Sequence, residues 1–179
     1  MPGTAIGIQM NAGYPGSFAR SGDTVIAARE VRGADATGPN FGAALILNDD
    51  NTYSDLAVAK ARSATCDMTT FAGIAAREVK TSTTFYPSQS TGNYAPGQVC
   101  DCIERGGVSV VCLVGTPKAG GKVYLRHTLN GGIPAGVVGG LEANSDGGNS
   151  FELTNCKWAN GYIDANKVTE LAILSRNMP

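Results

Sequence analysis

His127 is the only histidine in the chain, and five cysteines stand at positions 66, 100, 102, 112 and 156. A serine or thiol nucleophile needs a base within hydrogen-bond reach, normally an imidazole. No Gly-x-Ser-x-Gly elbow occurs, and nothing in the sequence brings a cysteine to His127. Zinc would need two further ligands beside Cys100 and Cys102, whose spacing is not that of a Cys-x-x-Cys site. These two lie two apart on an expected strand, so both face the same side of a sheet. The odd count forms no disulfide framework. The five thiols read as small apolar core residues in a reducing compartment.

Three other segments approach a chemical motif and stop short. Gly115-Thr116-Pro117-Lys118-Ala119-Gly120-Gly121-Lys122-Val123 resembles a phosphate-binding loop. It inserts a glycine, lacks the Ser/Thr that would hold magnesium, and joins two expected strands instead of opening a helix. A hairpin loop is the expectation there. Asn48-Asp49-Asp50-Asn51, followed by Asp55, offers oxygen ligands without the central Gly or closing Glu of a calcium loop, and reads as a turn. Asn144-Ser145-Asp146-Gly147 is thinner still. No spacing marks a carboxylate pair for glycoside cleavage. Phe151, Trp158 and Tyr162 read as a packing cluster. The expectation is therefore a protein that is not an enzyme, with no catalytic residues, no cofactor and no metal.

The elements that would have to position such groups are β-strands. Runs at Thr24–Val31, Phe41–Leu47, Phe71–Val79, Val99–Glu104, Val108–Val114, Lys122–Thr128 and Thr169–Leu174 are separated by turn chemistry. Pro96-Gly97 presets a type II turn, since Pro fixes φ and Gly accepts the positive φ that follows. Gly106-Gly107 offers a two-residue hairpin corner between two of the strands. Thr52–Ser63 reads as a short helix or a strand-like excursion. Residues 130–161 read as one long Gly/Asn-rich loop, a length that usually has a function or a partner. The spacing predicts an all-β fold, a β-sandwich or jelly-roll-like barrel. At 179 residues the chain fits one body. The expected organisation is an extended N-terminal arm over 1–24 and a single β-rich domain over 25–179. In the arm Ile6, Ile8 and Met10 alternate with small or polar neighbours.

Charged residues are 16% of the chain, well below the usual quarter, and there are 24 glycines, which suits a turn-rich protein that packs side by side in an assembly and equally a Gly-rich all-β monomer. The formal net charge is −1 and the basic residues are scattered singly, so there is no footprint for nucleic acid. No apolar run is long enough for a membrane span, and no secretory signal pattern opens the chain.

Asn11-Ala12-Gly13-Tyr14-Pro15-Gly16-Ser17-Phe18-Ala19-Arg20 resembles the opening of structural cement proteins of tailed bacteriophages. Three later blocks are similar to the same family, and a closing segment fits the strand that usually comes next. The blocks are Phe41-Gly42-Ala43-Ala44, Phe71-Ala72-Gly73-Ile74-Ala75, and Tyr94-Ala95-Pro96-Gly97-Gln98-Val99 with Arg105-Gly106-Gly107-Val108-Ser109-Val110; the closing segment is Gly121-Lys122-Val123-Tyr124-Leu125. The likeness spans roughly residues 10–126. It implies a virion protein, assembled in the host cytoplasm, on the outside of an icosahedral head. There it would bridge subunits of the major capsid protein and self-associate as a dimer or trimer. It implies no catalytic residues. Tyr14 and Phe18 are the expected partner-binding anchors, since aromatics dominate interface energetics. Arg20 is expected to pair with a capsid carboxylate. The rival expectation is a carbohydrate- or receptor-binding module of a phage fibre or tail.

Overall fold

The computed structural model describes residues 13–78 and 92–177, apart from the side chains of Arg20 and Ser21. Among the described residues nine strands and one short α-helix follow one another: β1 Phe18–Glu30, β2 Ala44–Leu47, β3 Tyr53–Asp55, α1 Leu56–Ala61, β4 Phe71–Ala75, β5 Val99–Val114, β6 Lys122–Arg126, β7 Leu141–Glu142, β8 Ser150–Trp158 and β9 Val168–Ile173. The chain is all-β, a closed barrel with extra strands outside it.

The second half of β5 pairs with β9 on one edge and β7 on the other, and β6 and β8 complete the ring. Closure removes sheet edges from this part of the molecule. Val110, Val123, Leu125, Leu153, Trp158 and Leu171 belong to the buried core of the barrel side. The first half of β5 belongs to the outer strands, pairing with β1 and β4. Beyond β4 come β2 and β3, and a parallel bridge from Val31 to Tyr53 ties the end of β1 to β3. A second cluster, with Val31, Leu45, Tyr53, Tyr94, Cys100 and Cys102, fills this side.

The expected hairpin at Gly106-Gly107 is absent, because β5 runs through it as one strand of 16 residues. Before the pair, Cys100 and Cys102 enter the outer cluster while Ile103 faces the barrel side; after it, Val108, Val110 and Cys112 face the barrel side. Odd positions point to that core on one side of the glycines, and even positions on the other. The register with β1 slips by one residue just before the glycines, where Val25 pairs with Arg105 and Ile26 with Ile103, which marks a bulge there. Gly106 has φ +119°, and a Cβ there would lie 2.9 Å from Thr24 Oγ1 and 3.2 Å from the Asp23 carbonyl oxygen. The glycine therefore lets β1 cross closely while β5 changes the core it serves.

The Pro96-Gly97 turn forms as expected, with Gly97 at φ +79° and Gln98 N–H donating to Ala95 O. Tyr14-Pro15-Gly16-Ser17 makes a second such turn, closed by Ser17 N–H to Tyr14 O, with Gly16 at φ +81°. A Cβ on Gly16 would lie within 2.9 Å of three backbone atoms of Gly42, Ala75 and Arg77. Gly16→Ala is expected to destabilise the fold by about 2 kcal/mol or more, from the disfavoured backbone and the backbone clash together. Urea unfolding measures it.

The stretch over 52–63 resolves into β3 and α1, with Asp55 capping the helix by accepting from Ala57 N–H at 2.8 Å. The loop expected over 130–161 is corrected: it contains β7 and all nine residues of β8. The inward residues Leu153, Cys156 and Trp158 break the two-residue period once, which hides the strand. Residues 1–12 of the expected arm lie outside the described residues, and from Phe18 the chain is already strand β1.

Candidate binding surface

The groups with chemical potential are dispersed and mostly engaged. His127 lies beside Phe151, ring centroids 5.9 Å apart, with Nδ1 3.0 Å from Thr128 Oγ1. None of the recorded thiol hydrogen bonds goes to it. The P-loop-like segment joins β5 to β6, which do not pair with each other because β7 lies between them. It is a crossover and not the expected hairpin. Asn48–Asn51 is a turn, closed by Asn51 N–H to Asn48 O. Arg62 reaches into it, donating to Asn48 Oδ1 and Asp35 Oδ1, so a guanidinium occupies the surroundings of those oxygens. Trp158 is 1% exposed and lies in the barrel core. It therefore offers no stacking face to a sugar.

All five cysteines are buried and unbridged. Burial pushes the thiols of Cys100 and Cys156 up to about 12 and that of Cys112 to about 11, with Cys66 and Cys102 also raised. The reactive form is the thiolate. The native protein should react with a water-soluble disulfide reagent at least about 100-fold more slowly than the denatured chain. Rapid labelling of two or more thiols in the native state would contradict this.

One polar cluster shapes the surface around the loop of residues 128–140. Arg126 and Glu142 are both fully buried, and the guanidinium Nη2 donates to Glu142 Oε2 at 3.0 Å. Its Nη1 donates to Asp146 Oδ2 at 2.6 Å and to Thr128 O at 3.2 Å. Asn130 adds two bonds to the same Asp146 carboxylate. Gly136 lies so close to the guanidinium that any side chain there would overlap it. The loop is thus pinned from within. Sequence reading missed this cluster; its faint signal was an Arg inside an apolar strand.

Asp146 has its carboxyl held below the ordinary range, first by the hydrogen bond from Arg126. Asp67 and Asp50 are lowered too, first by the hydroxyls of Thr69 and Thr52. Groups with depressed folded values contribute stability that is complete above the unfolded value of about 3.8 and disappears as pH falls through the folded values. Stability should therefore drop below about pH 4, and Asp146→Asn should flatten that drop. Urea midpoints measured between neutrality and acid test the sign.

Exposed apolar side chains occur on the 128–140 loop, at Leu129 and Val137, and along the start of the chain. Tyr14 is 66% exposed and Phe18 48%, and Ile26 and Val99 are exposed along the β1–β5 pair. A shallow hollow of about 460 Å³ is lined by Phe18, Gly22, Thr24 and Ile26. Tyr14 covers Arg77, whose guanidinium carbon is 4.8 Å from its ring centroid and 5.6 Å from that of Phe41. Phe41 in turn meets Tyr94 edge-on at 5.3 Å. The Arg20 backbone pairs with Gly107, and its side chain lies outside the described structure. Tyr14 and Phe18 are thus brought to one end of β1, on the surface, with no catalytic constellation beside them among the described residues.

A model of the XM1 gp53 minor capsid protein family matches residues 3–173. The chain belongs to this family. The same architecture is found in a solved chain of the capsid of Myoviridae phage XM1, with a TM-score of 0.63 over 97% of each chain and 18% identical residues. No curated protein matches the sequence. As a member of the XM1 gp53 minor capsid family, the protein is a structural component of a phage head.

Proposed function

We propose that the protein is a cement subunit on the exterior of an icosahedral head, where it bridges neighbouring copies of the major capsid protein. The observation that carries this reading is the pair Tyr14 and Phe18, both exposed at the start of β1, in a member of a minor capsid family. Exposed aromatics on an outer strand of a rigid β-scaffold are the usual anchors of a protein interface. A lattice presents many equivalent positions, so modest contacts summed over a dimer or trimer hold the shell against internal pressure. Arg20 is assigned a capsid carboxylate as partner. Assembly takes place in the host cytoplasm. The closed barrel and the pinned 128–140 loop supply a stiff bridge. No catalytic step is part of this function.

The test is to add purified protein to expanded heads that lack it. Cryo-electron microscopy should locate it on the outer surface between capsid subunits, and heads carrying it should survive heating longer. Location inside the shell, or survival unchanged by binding, overturns the reading. Removing residues 1–12 should weaken attachment more than it lowers the thermal midpoint, and equal binding by the truncated chain would show that this segment is not an anchor.

A further inference from the structure

Next to the Tyr14-Pro15 turn lies a groove of about 320 Å³. Val111 and Leu113 of β5 line it, with Val137 and Gly139 of the pinned loop and Pro15 and Phe41 from the opposite side. Val137 is itself exposed. Arg77, exposed, does not line the groove but adjoins it through Phe41, its guanidinium held against the rings of Tyr14 and Phe41. A guanidinium stacked on aromatic faces keeps its N–H edge free, and that edge matches a carboxylate fork. Among the described residues no carboxylate pairs with it. The neighbouring Glu78 accepts from Gln98. Asp55, the acidic residue lining the groove, is committed to the first turn of α1.

We propose that this groove is the docking site for an extended segment of a capsid subunit that presents a carboxylate next to a branched or aromatic side chain. The carboxylate pairs with Arg77 and the apolar side chain enters between Val111, Leu113 and Val137. Charge complementarity selects the occupant: next to the apolar walls stands a cation with no carboxylate partner among the described residues, so the ligand must bring the acid. The Arg126 cluster contributes by holding the Val137 wall in place before the partner arrives, which removes an ordering cost from binding. The assignment rests on the exterior cement reading and names the surface through which it works.

Binding of Arg77→Gln, Val137→Asp and the control Thr154→Ala to expanded heads is to be measured by co-sedimentation, alongside thermal unfolding. Thr154 is exposed on β8 and does not line the groove. Arg77→Gln and Val137→Asp are each expected to weaken binding by roughly tenfold or more. Their unfolding midpoints should stay near the parent value, and Thr154→Ala should bind as the parent does. Arg77→Lys keeps the charge without the planar fork and should fall between. Binding that survives both groove substitutions overturns this inference and leaves the exterior reading standing. Failure of the unsubstituted chain to bind heads overturns both. If the substitutions alter sedimentation of the free protein and not head binding, a second copy occupies the groove and the capsid segment does not.

Discussion

Arg126→Ala is expected to lower stability by about 3–5 kcal/mol, the range for removing one partner of a buried ion pair. The residue is fully enclosed and bonds Glu142, Asp146 and the Thr128 carbonyl oxygen at once. Removal leaves the buried Glu142 carboxylate without its counter-charge, and that penalty dominates the loss. For a chain of this size the change corresponds to a fall of roughly 10 °C in thermal midpoint. Arg126→Lys should recover little, since a single ammonium cannot make the forked contacts. The double variant Arg126→Met, Glu142→Leu should be markedly more stable than Arg126→Ala, because it removes the stranded charge as well. Amide exchange supplies a second readout: Gly139 N–H donates to Arg126 O and Arg126 N–H to Gly140 O, so loosening of the 128–140 loop should show there first. A loss below about 1 kcal/mol, the scale of an exposed pair, would refute the enclosed-cluster account.

Gly73→Ala is expected to cost about 3 kcal/mol, at the upper end for overpacking. Gly73 lies in the middle of β4, opposite Leu45 of β2. A Cβ there would overlap the Ile103 carbonyl group of β5 and lie 2.7 Å from Cys102 Sγ. Backbone cannot swing aside as a side chain can, so the pairing of Ile74 with Ile103 must open. That pairing is what joins β2 and β3 to the barrel strand β5. Urea unfolding gives the magnitude. An unchanged midpoint would mean that the two strands tolerate separation, contrary to the close crossing described above.

Much of the β-scaffold is visible in local chemistry. Residues 122–125 alternate outward and inward, Pro96-Gly97 demands its turn, and both strand and turn signals depend on residues a few positions apart. Gly106-Gly107 shows where local chemistry runs out. The same two glycines permit a hairpin or a continuous strand, and the choice depends on whether β9 and β1 are there to pair with the strand as it continues. β8 is hidden for a related reason, since its inward residues change parity midway and the polar Thr154 and Asn155 interrupt the pattern.

The candidate surface divides in the same way. Tyr14 and Phe18 stand out in the sequence as the aromatics of a Gly/Pro-rich opening, and the Tyr-Pro-Gly turn between them is dictated by residue type. Arg77 has no such signal. It lies 63 positions from Tyr14, and only the pairing of β4 with β2, together with the Arg77 N–H bond to Gly16 O, sets it between two rings. Residue types by themselves determined an all-β protein, because propensity, turn geometry and spacing are short-range. Tertiary structure alone decided which strand passes straight through its glycines, which charges are sealed inside and which wait at the surface. Those outcomes depend on contacts between segments far apart in the chain, where loop closure and burial, not local preference, set the free energy.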